Sequence, residues 1–261
     1  MKSPISYRKG IPFFCHKSET DFQKDMYERY DEMVVRQSAI HLADELWGGY
    51  PMQAIFDFAN VHYPTYDVQH MLEIGCGVGR WIATLAQIYP EASCWGIDYS
   101  YQMLKRAREF WIQGKAIRID LSNKGFPENL KTKGLRLSNL RLGLAEATEL
   151  PFAQDSQGLI VSSFLLDRLD EPAKGLAEMY RVLAPDGKLI LITPLNFNQA
   201  SHWQTLYPPI KLHRVLTQMG FTILDWKEAF AIEEPLDARG NVVTWNCLGC
   251  VASKSVPNSI L

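Results

Sequence analysis

No apolar run in this sequence approaches the roughly 20 residues that a membrane-spanning helix needs, and the opening MKSPISYRKG lacks the hydrophobic core of a secretion signal. There is almost no net charge: 27 Lys and Arg against 29 Asp and Glu leave −2. That balance gives no electrostatic case for nucleic acid or for an anionic membrane surface. Cysteines are few, odd in number and scattered, at Cys15, Cys76, Cys94, Cys247 and Cys250, which argues against a disulfide framework. Cys247 and Cys250 spell C-x-x-C, but VVTWNCLGCVAS reads as a strand, where residues three apart point to opposite faces. No second pair completes a zinc site, so no metal is expected. Internal repeats, low-complexity tracts and interdomain linkers are missing too. What remains is 261 residues, 47% hydrophobic, enough for one sizeable core in a soluble, cytoplasmic protein.

Against that background one stretch stands out, MLEIGCGVGR at 71–80. A short apolar run ends in Gly75, Gly77 and Gly79, and a helical pattern, RWIATLAQIY, follows. Glycine takes positive φ at little cost and lets a ligand approach the backbone. The first N–H groups of the following helix have no intrahelical partner and can face that ligand. Further on, Asp98 ends a second apolar run, SCWGID. An acid at the tip of the second strand can accept from ribose hydroxyls. The two features together predict a nucleoside-containing cofactor.

The dinucleotide fingerprint is G-x-G-x-x-G, and Arg80 stands where its third glycine would fall. LEIGCGVG instead resembles the first motif of the class I S-adenosylmethionine-dependent methyltransferases, E/D-x-G-x-G-x-G, with Glu73 as the leading acid. Later segments match the same family in order. EATELPF at 146–152 resembles the segment after the third strand whose acid meets the adenine amino group, with Glu146 in that position. RVLAPDGKLILITP at 181–194 resembles L-K-P-G-G-x-L-x-x-x-x-P, with Asp186 replacing one glycine. After the fourth strand this chain has Leu165-Leu166-Asp167-Arg168 where relatives often carry histidines. The resemblance covers roughly residues 68–253.

Taken in order, residues 1–19 show no periodicity and read as loosely ordered. Helical patterns run from Asp21 to Trp47 and from Met52 to His62. The resemblance makes residues 1–64 a lid over the ligands, while packing on the core is the plainer reading. A core spans 65–261, with strands at Val68–Gly75, Ser93–Asp98, Leu140–Ala145, Gly158–Ser163 and Lys188–Thr193. Helices are expected at Arg80–Tyr89, Tyr101–Ile112 (capped by Ser100), Pro172–Leu183 and Ile210–Met219. A segment at about 114–139, carrying Lys124, Lys131, Lys133 and Arg136, reads as an inserted, solvated surface loop. NFNQASHWQTLYPP reads as a polar loop. Two last strands, opening at Phe221 and running Val242–Ala252, have no helix between them and imply an antiparallel hairpin. The expected class is α/β: a three-layer Rossmann-like sandwich on a seven-stranded, mostly parallel sheet ending in that hairpin.

The resemblance implies S-adenosylmethionine as cofactor, with S-adenosylhomocysteine as product. It sets the cofactor against Glu73, Gly75, Cys76, Gly77 and Gly79 in the turn, and Asp98, Tyr99 and Met103 beyond the second strand. Ala145, Glu146 and Ala147 follow the third strand, Ser163 ends the fourth, and Tyr30 reaches in from the lid. Candidates for the acceptor are Tyr27, Arg168, Asn196, Trp203 and Tyr207. His202 and Asp167 are the candidate proton acceptors, although a methyl on a sulfonium needs mainly alignment, with a base only where the acceptor must lose a proton. A small-molecule N or O acceptor is the leading expectation. The alternatives are a protein that binds the cofactor without turnover and, on the glycine pattern alone, a nicotinamide-dependent oxidoreductase.

Overall fold

The computed structural model describes residues 1–127 and 130–254. The chain begins with β1 (Ser6–Arg8) and β2 (Ile11–Phe13), followed by helices α1 (Glu19–Lys24), α2 (Met26–Arg29), α3 (Asp31–Leu42), α4 (Asp44–Trp47) and α5 (Gln53–Ala59). The alternating core then runs β3 (His70–Ile74), α6 (Arg80–Ile88), β4 (Ser93–Asp98) and α7 (Tyr101–Ala107). A small hairpin, β5 (Ile117–Ile119) and β6 (Leu130–Thr132), precedes β7 (Leu140–Leu144) and β8 (Gln157–Ser163). The rest is α8 (Pro172–Val182), β9 (Leu183–Thr193), α9 (Ala200–Leu206), α10 (Pro209–Gln218), β10 (Phe221–Pro235) and β11 (Val242–Lys254).

One nine-stranded sheet carries the fold in the order β1-β2-β7-β4-β3-β8-β9-β11-β10. The pairs from β2–β7 to β8–β9 are parallel, and β9–β11–β10 closes the edge antiparallel. The parallel strands are buried on both faces, which is why their sequences are near-continuous apolar runs. On one face Met71, Ile82, Leu85 and Leu104 join residues of α3 and α5 in a single cluster. On the other, Leu72, Ile74, Ile160, Leu189 and Leu191 pack with α8 and α10. The strand order reverses between β3 and β8, and it is in the crevice outside the strand tips at such a point that open α/β sheets bind ligands.

Several expectations are corrected. The sheet has nine strands, not seven, because residues 1–19 are ordered at its edge. Lys9 and Gly10 take φ of 47° and 77°, the paired positive φ of a tight hairpin turn, and Phe13 pairs with Leu144 of β7. Lys-Gly is a weak turn signal, and three-residue strands are too short to show alternation. The 114–139 segment is solvated at Lys124, Lys131, Lys133 and Arg136, but it is not a loop: it carries the β5–β6 hairpin, anchored on the core. Ile117, Ile119 and Leu121 are buried, the Thr132 hydroxyl donates to the Leu42 carbonyl at 2.7 Å, and Phe126 meets Trp47 edge-on at 4.9 Å. Its lysines draw attention away from an apolar alternation three residues long. The polar loop after β9 contains α9, and the helix at Tyr101 finishes as a π-turn over Arg108–Ile112.

Candidate functional site

The glycine turn is built from backbone. Gly75, Gly77 and Gly79 all have positive φ, at 74°, 52° and 77°. The N–H groups of Gly75 and Cys76 both donate to the Ile97 carbonyl at 2.9 Å, tying the turn to β4. A Cβ on Gly75 would meet the Leu165 side chain at 3.0 Å, whereas one on Gly77 would meet nothing within 4 Å. Gly77 therefore rims an open cradle, and Leu165 roofs the start of the turn.

Two carboxylates hold this turn, Glu73 buried and Asp98 half-buried. Glu73, 3% exposed, accepts from the Ile82 N–H at 2.8 Å; burial pushes its carboxyl well above the ordinary range. Asp98 accepts from the Gly77 N–H through one oxygen and the Ser100 N–H through the other, both at 2.8 Å. Burial raises its pKa as well, with the Ser100 and Gly77 N–H groups opposing. Each oxygen keeps a second lone pair, so Asp98 still has capacity for two hydroxyl donors. Open space over Gly77 beside a carboxylate with spare acceptor capacity fits a ribose.

Most of the remaining cofactor candidates lie at or just past the ends of β4, β7 and β8 and in the glycine turn. The Ala145 N–H donates to the Asp98 carbonyl at 3.2 Å, and Ala145 and Ala147 are buried. Met103 is buried, its N–H on the Ser100 cap at 3.3 Å. Glu146 is half-buried and takes the Thr148 hydroxyl at 3.4 Å. Its charge helps raise the Cys15 thiol to about 12, behind the larger effect of burial. Cys76 is buried in the turn, and Ser163 is half-buried at the end of β8.

Tyr99 is half-buried beneath Lys17, which sequence reasoning missed. The Lys17 side chain is fully enclosed, pairs with Asp25 at 2.7 Å and Glu28 at 3.3 Å, and donates to the Tyr99 carbonyl at 2.7 Å. Glu28 also accepts from the Tyr101 N–H. Arg80, read only as a missing glycine, pairs bidentately with Asp44 at 2.9 and 2.8 Å. Helices α1–α4 are thus fastened by charge to both sides of the crevice. Tyr27 lies half-buried there, its phenol pushed up by burial first and by Asp98 next, with Arg168 opposing. Tyr30 is turned outward, 42% exposed, with its hydroxyl on Arg29 at 2.5 Å.

Past the end of β8 stands a wall that no motif announced. Phe164, just past β8, has φ of 54°, a strained conformation for a bulky residue. Its ring meets Trp245 at 5.9 Å. The Trp245 indole donates to Glu234 at 2.9 Å, and Glu234, 8% exposed, pairs with Arg36 of α3 at 2.7 Å. Asp167 is enclosed and accepts from the Thr193 hydroxyl at 3.2 Å. Burial raises its carboxyl. Arg168 emerges beside it, with Nε 3.5 Å from Asp167 Oδ2 and the side chain 45% exposed.

Of the candidates after β9, Asn196 reaches Asp167 through its backbone, while the other three collect elsewhere. The His202 ring packs on Phe197 at 5.9 Å, the Trp203 indole donates to the Phe197 carbonyl at 2.7 Å, and Trp203 meets Tyr207 at 5.2 Å. Phe197 belongs to the α8–α10 face of the sheet, whereas Tyr27, Phe164 and Trp245 pack on the opposite cluster. Asn196 is exposed. Among the described residues no three His, Cys, Asp or Glu side chains gather as a metal site.

Residues 72–191 match a family described as "Methyltransferase domain". Malonyl-acyl carrier protein O-methyltransferase of Alcanivorax borkumensis is 30% identical over 165 residues, 62% of this chain and 47% of that protein. Demethylmenaquinone methyltransferase of Listeria welshimeri is 32% identical over 124 residues, 47% of this chain and 44% of its own length. The chain thus spans about half the length of these curated relatives. Among solved structures, the complex between the Haloferax volcanii Trm112 methyltransferase activator and the putative methyltransferase matches with a TM-score of 0.59 at 13% identity. That match covers 90% of this chain and 99% of the other, a likeness of fold.

Proposed function

We propose that this chain, which belongs to the class I S-adenosylmethionine-dependent methyltransferases, transfers a methyl group to a small-molecule nitrogen or oxygen acceptor held between its N-terminal helices and the strand tips. The observation that carries the reading is the pairing of Gly77 with Asp98: an open positive-φ turn whose N–H is aimed by a carboxylate with lone pairs to spare. When bound, S-adenosylmethionine supplies a methyl on a sulfonium, with a thioether as the leaving group. The chain's own part is to bind, orient and exclude water. Asp98 and the turn fix the nucleoside, residues 1–64 act as the lid, and the Phe164–Trp245 wall sets the acceptor's line of approach. Alignment of this kind can lower a barrier by about 7–11 kcal/mol at best.

The two relatives act, by their names, on malonyl-acyl carrier protein and demethylmenaquinone, which supports an acceptor other than nucleic acid. Against a nicotinamide cofactor stand Arg80 at the third-glycine position and the antiparallel β10–β11 edge. Calorimetry with S-adenosylhomocysteine, followed by an assay for its formation from S-adenosylmethionine, tests the reading. Binding with turnover is expected, while binding without turnover on any acceptor would favour a regulatory binder.

A further inference from the structure

We propose that the acceptor is a carboxylate, gripped by the outer edge of the Arg168 guanidinium and methylated on oxygen to an ester. This rests on the methyltransferase reading above and deepens it. Segment 164–168 is held over the glycine turn, since Leu165 lies against Gly75 and the Phe164 N–H donates to the Ile192 carbonyl at 2.9 Å. Arg168 ends the short 3-10 turn Leu166–Arg168 that follows. Its Nε leans toward Asp167 at 3.5 Å, beyond hydrogen-bond length, and its two terminal nitrogens have no partner among the described residues. Asp167 is enclosed, so it backs the guanidinium from one side and leaves the Nη edge free. That edge presents two parallel N–H donors, the geometry that binds a carboxylate bidentately.

The other charges in the crevice are spoken for. Lys17 is taken by Asp25 and Glu28, Arg36 by Glu234, and Arg80 by Asp44. Among the described residues Arg168, paired only through Nε with Asp167, keeps its terminal nitrogens unpartnered, and it acts on the Tyr27 phenol, whose own oxygen has no partner among them either.

The second observation is that, among the described residues, no unengaged proton acceptor stands beside Arg168. Asp98 is bonded to the turn with its spare lone pairs directed at the ribose, Glu234 is held by Arg36 and Trp245, and Asp167 is enclosed beside Arg168. His202 sits on Phe197, and His41 is buried between Tyr50 at 2.8 Å and Gln37 at 3.2 Å. An alcohol or an ammonium would need a base; a carboxylate is already ionised at neutral pH. The step then balances without one. A carboxylate oxygen bonds the methyl carbon as the carbon–sulfur bond breaks, and the electron pair stays on sulfur. The sulfonium and carboxylate become a neutral thioether and a neutral ester, and no proton moves. Phe164 and Trp245 offer an apolar wall for the acid's body.

The test uses the full chain and S-adenosylmethionine tritiated on its methyl group. Acceptors are a low-molecular-weight metabolite extract, and octanoate, phenylacetate and indole-3-acetate beside their alcohols and amines. Methyl esters release volatile methanol in mild alkali, whereas N-methyl, C-methyl and ether products keep the label. Alkali-labile label is expected, with the acids alone among the pure compounds competing against the extract. Arg168→Gln should raise the KM for the acid by about tenfold or more and leave the calorimetric Kd for S-adenosylhomocysteine within about twofold, with Arg168→Lys recovering part. Alkali-stable label overturns the proposal. So does an acid KM indifferent to Arg168→Gln, or cofactor binding with no transfer to any acid. Failure to bind S-adenosylhomocysteine at all would instead remove the cofactor reading beneath it.

Discussion

The Gly77 N–H donates to Asp98 Oδ2 at 2.8 Å, so the middle glycine of the turn and the tip of the second strand are one unit. The other oxygen of the same carboxylate takes the Ser100 N–H, which also fixes the start of α7. Asp98 therefore shapes the site before it touches a ligand.

Replacing Asp98 with alanine should weaken S-adenosylhomocysteine binding by about ten- to a hundredfold, the loss of charge-assisted bonds of roughly 1.5–3 kcal/mol. A 2′,3′-dideoxy analogue isolates the ribose share. It should lose less affinity than the parent, the remainder reporting on the turn. Equal losses for both ligands would assign Asp98 to the turn alone.

Gly77→Val should fold and yet fail to bind cofactor. Nothing lies within 4 Å of a Cβ there, so the cost to the fold is the strain of positive φ, about 1–3 kcal/mol, while the branched side chain fills the cradle. A folded variant, confirmed by circular dichroism, with an unchanged dissociation constant would contradict this.

Lys17→Met should loosen the N-terminal helices. Removing one member of a buried ion cluster costs about 3–5 kcal/mol because its partners are left uncompensated, and here those partners are Asp25 and Glu28. Faster proteolysis within residues 15–30, suppressed less by ligand than in the wild type, is the expected readout. Unchanged protection would mean the helices are held chiefly by packing.

The pH dependence follows from Glu73, whose ordinary value is 4.5 and whose folded-state value burial raises. The unfolded chain releases this proton first, so the folded state binds more protons and stability falls as pH rises from about 4.5 through the folded pKa. Glu73→Gln keeps an acceptor for the Ile82 N–H without the charge. It should flatten that fall and raise Tm at pH 7 relative to wild type. A Tm that drops at pH 7 while the slope persists would contradict the assignment.

Much of this was legible in the residues because it is local. Ser93–Asp98 has the same bounds in sequence and structure, and the Ser100 cap and the terminal hairpin are where their patterns put them. Each rests on contiguous alternation or on one capping residue. What the sequence hid is what long-range pairing creates. Arg36 and Glu234 are 198 positions apart, and neither position has a pattern that names the other. Lys17 reads as one more surface lysine until α1 and α2 fold over it. Phe164 shows its strain only in its φ angle. His202, prominent as a histidine after the fifth predicted strand, lies in α9 and packs on Phe197, a helix formed within what reads as a loop.

The most direct test of the central claim is a calorimetric titration of the full chain with S-adenosylhomocysteine and, separately, with NAD. Saturable one-to-one binding of S-adenosylhomocysteine, lost in Gly77→Val, with no heat from NAD, is the result this account predicts. Binding of NAD with no response to S-adenosylhomocysteine would contradict it.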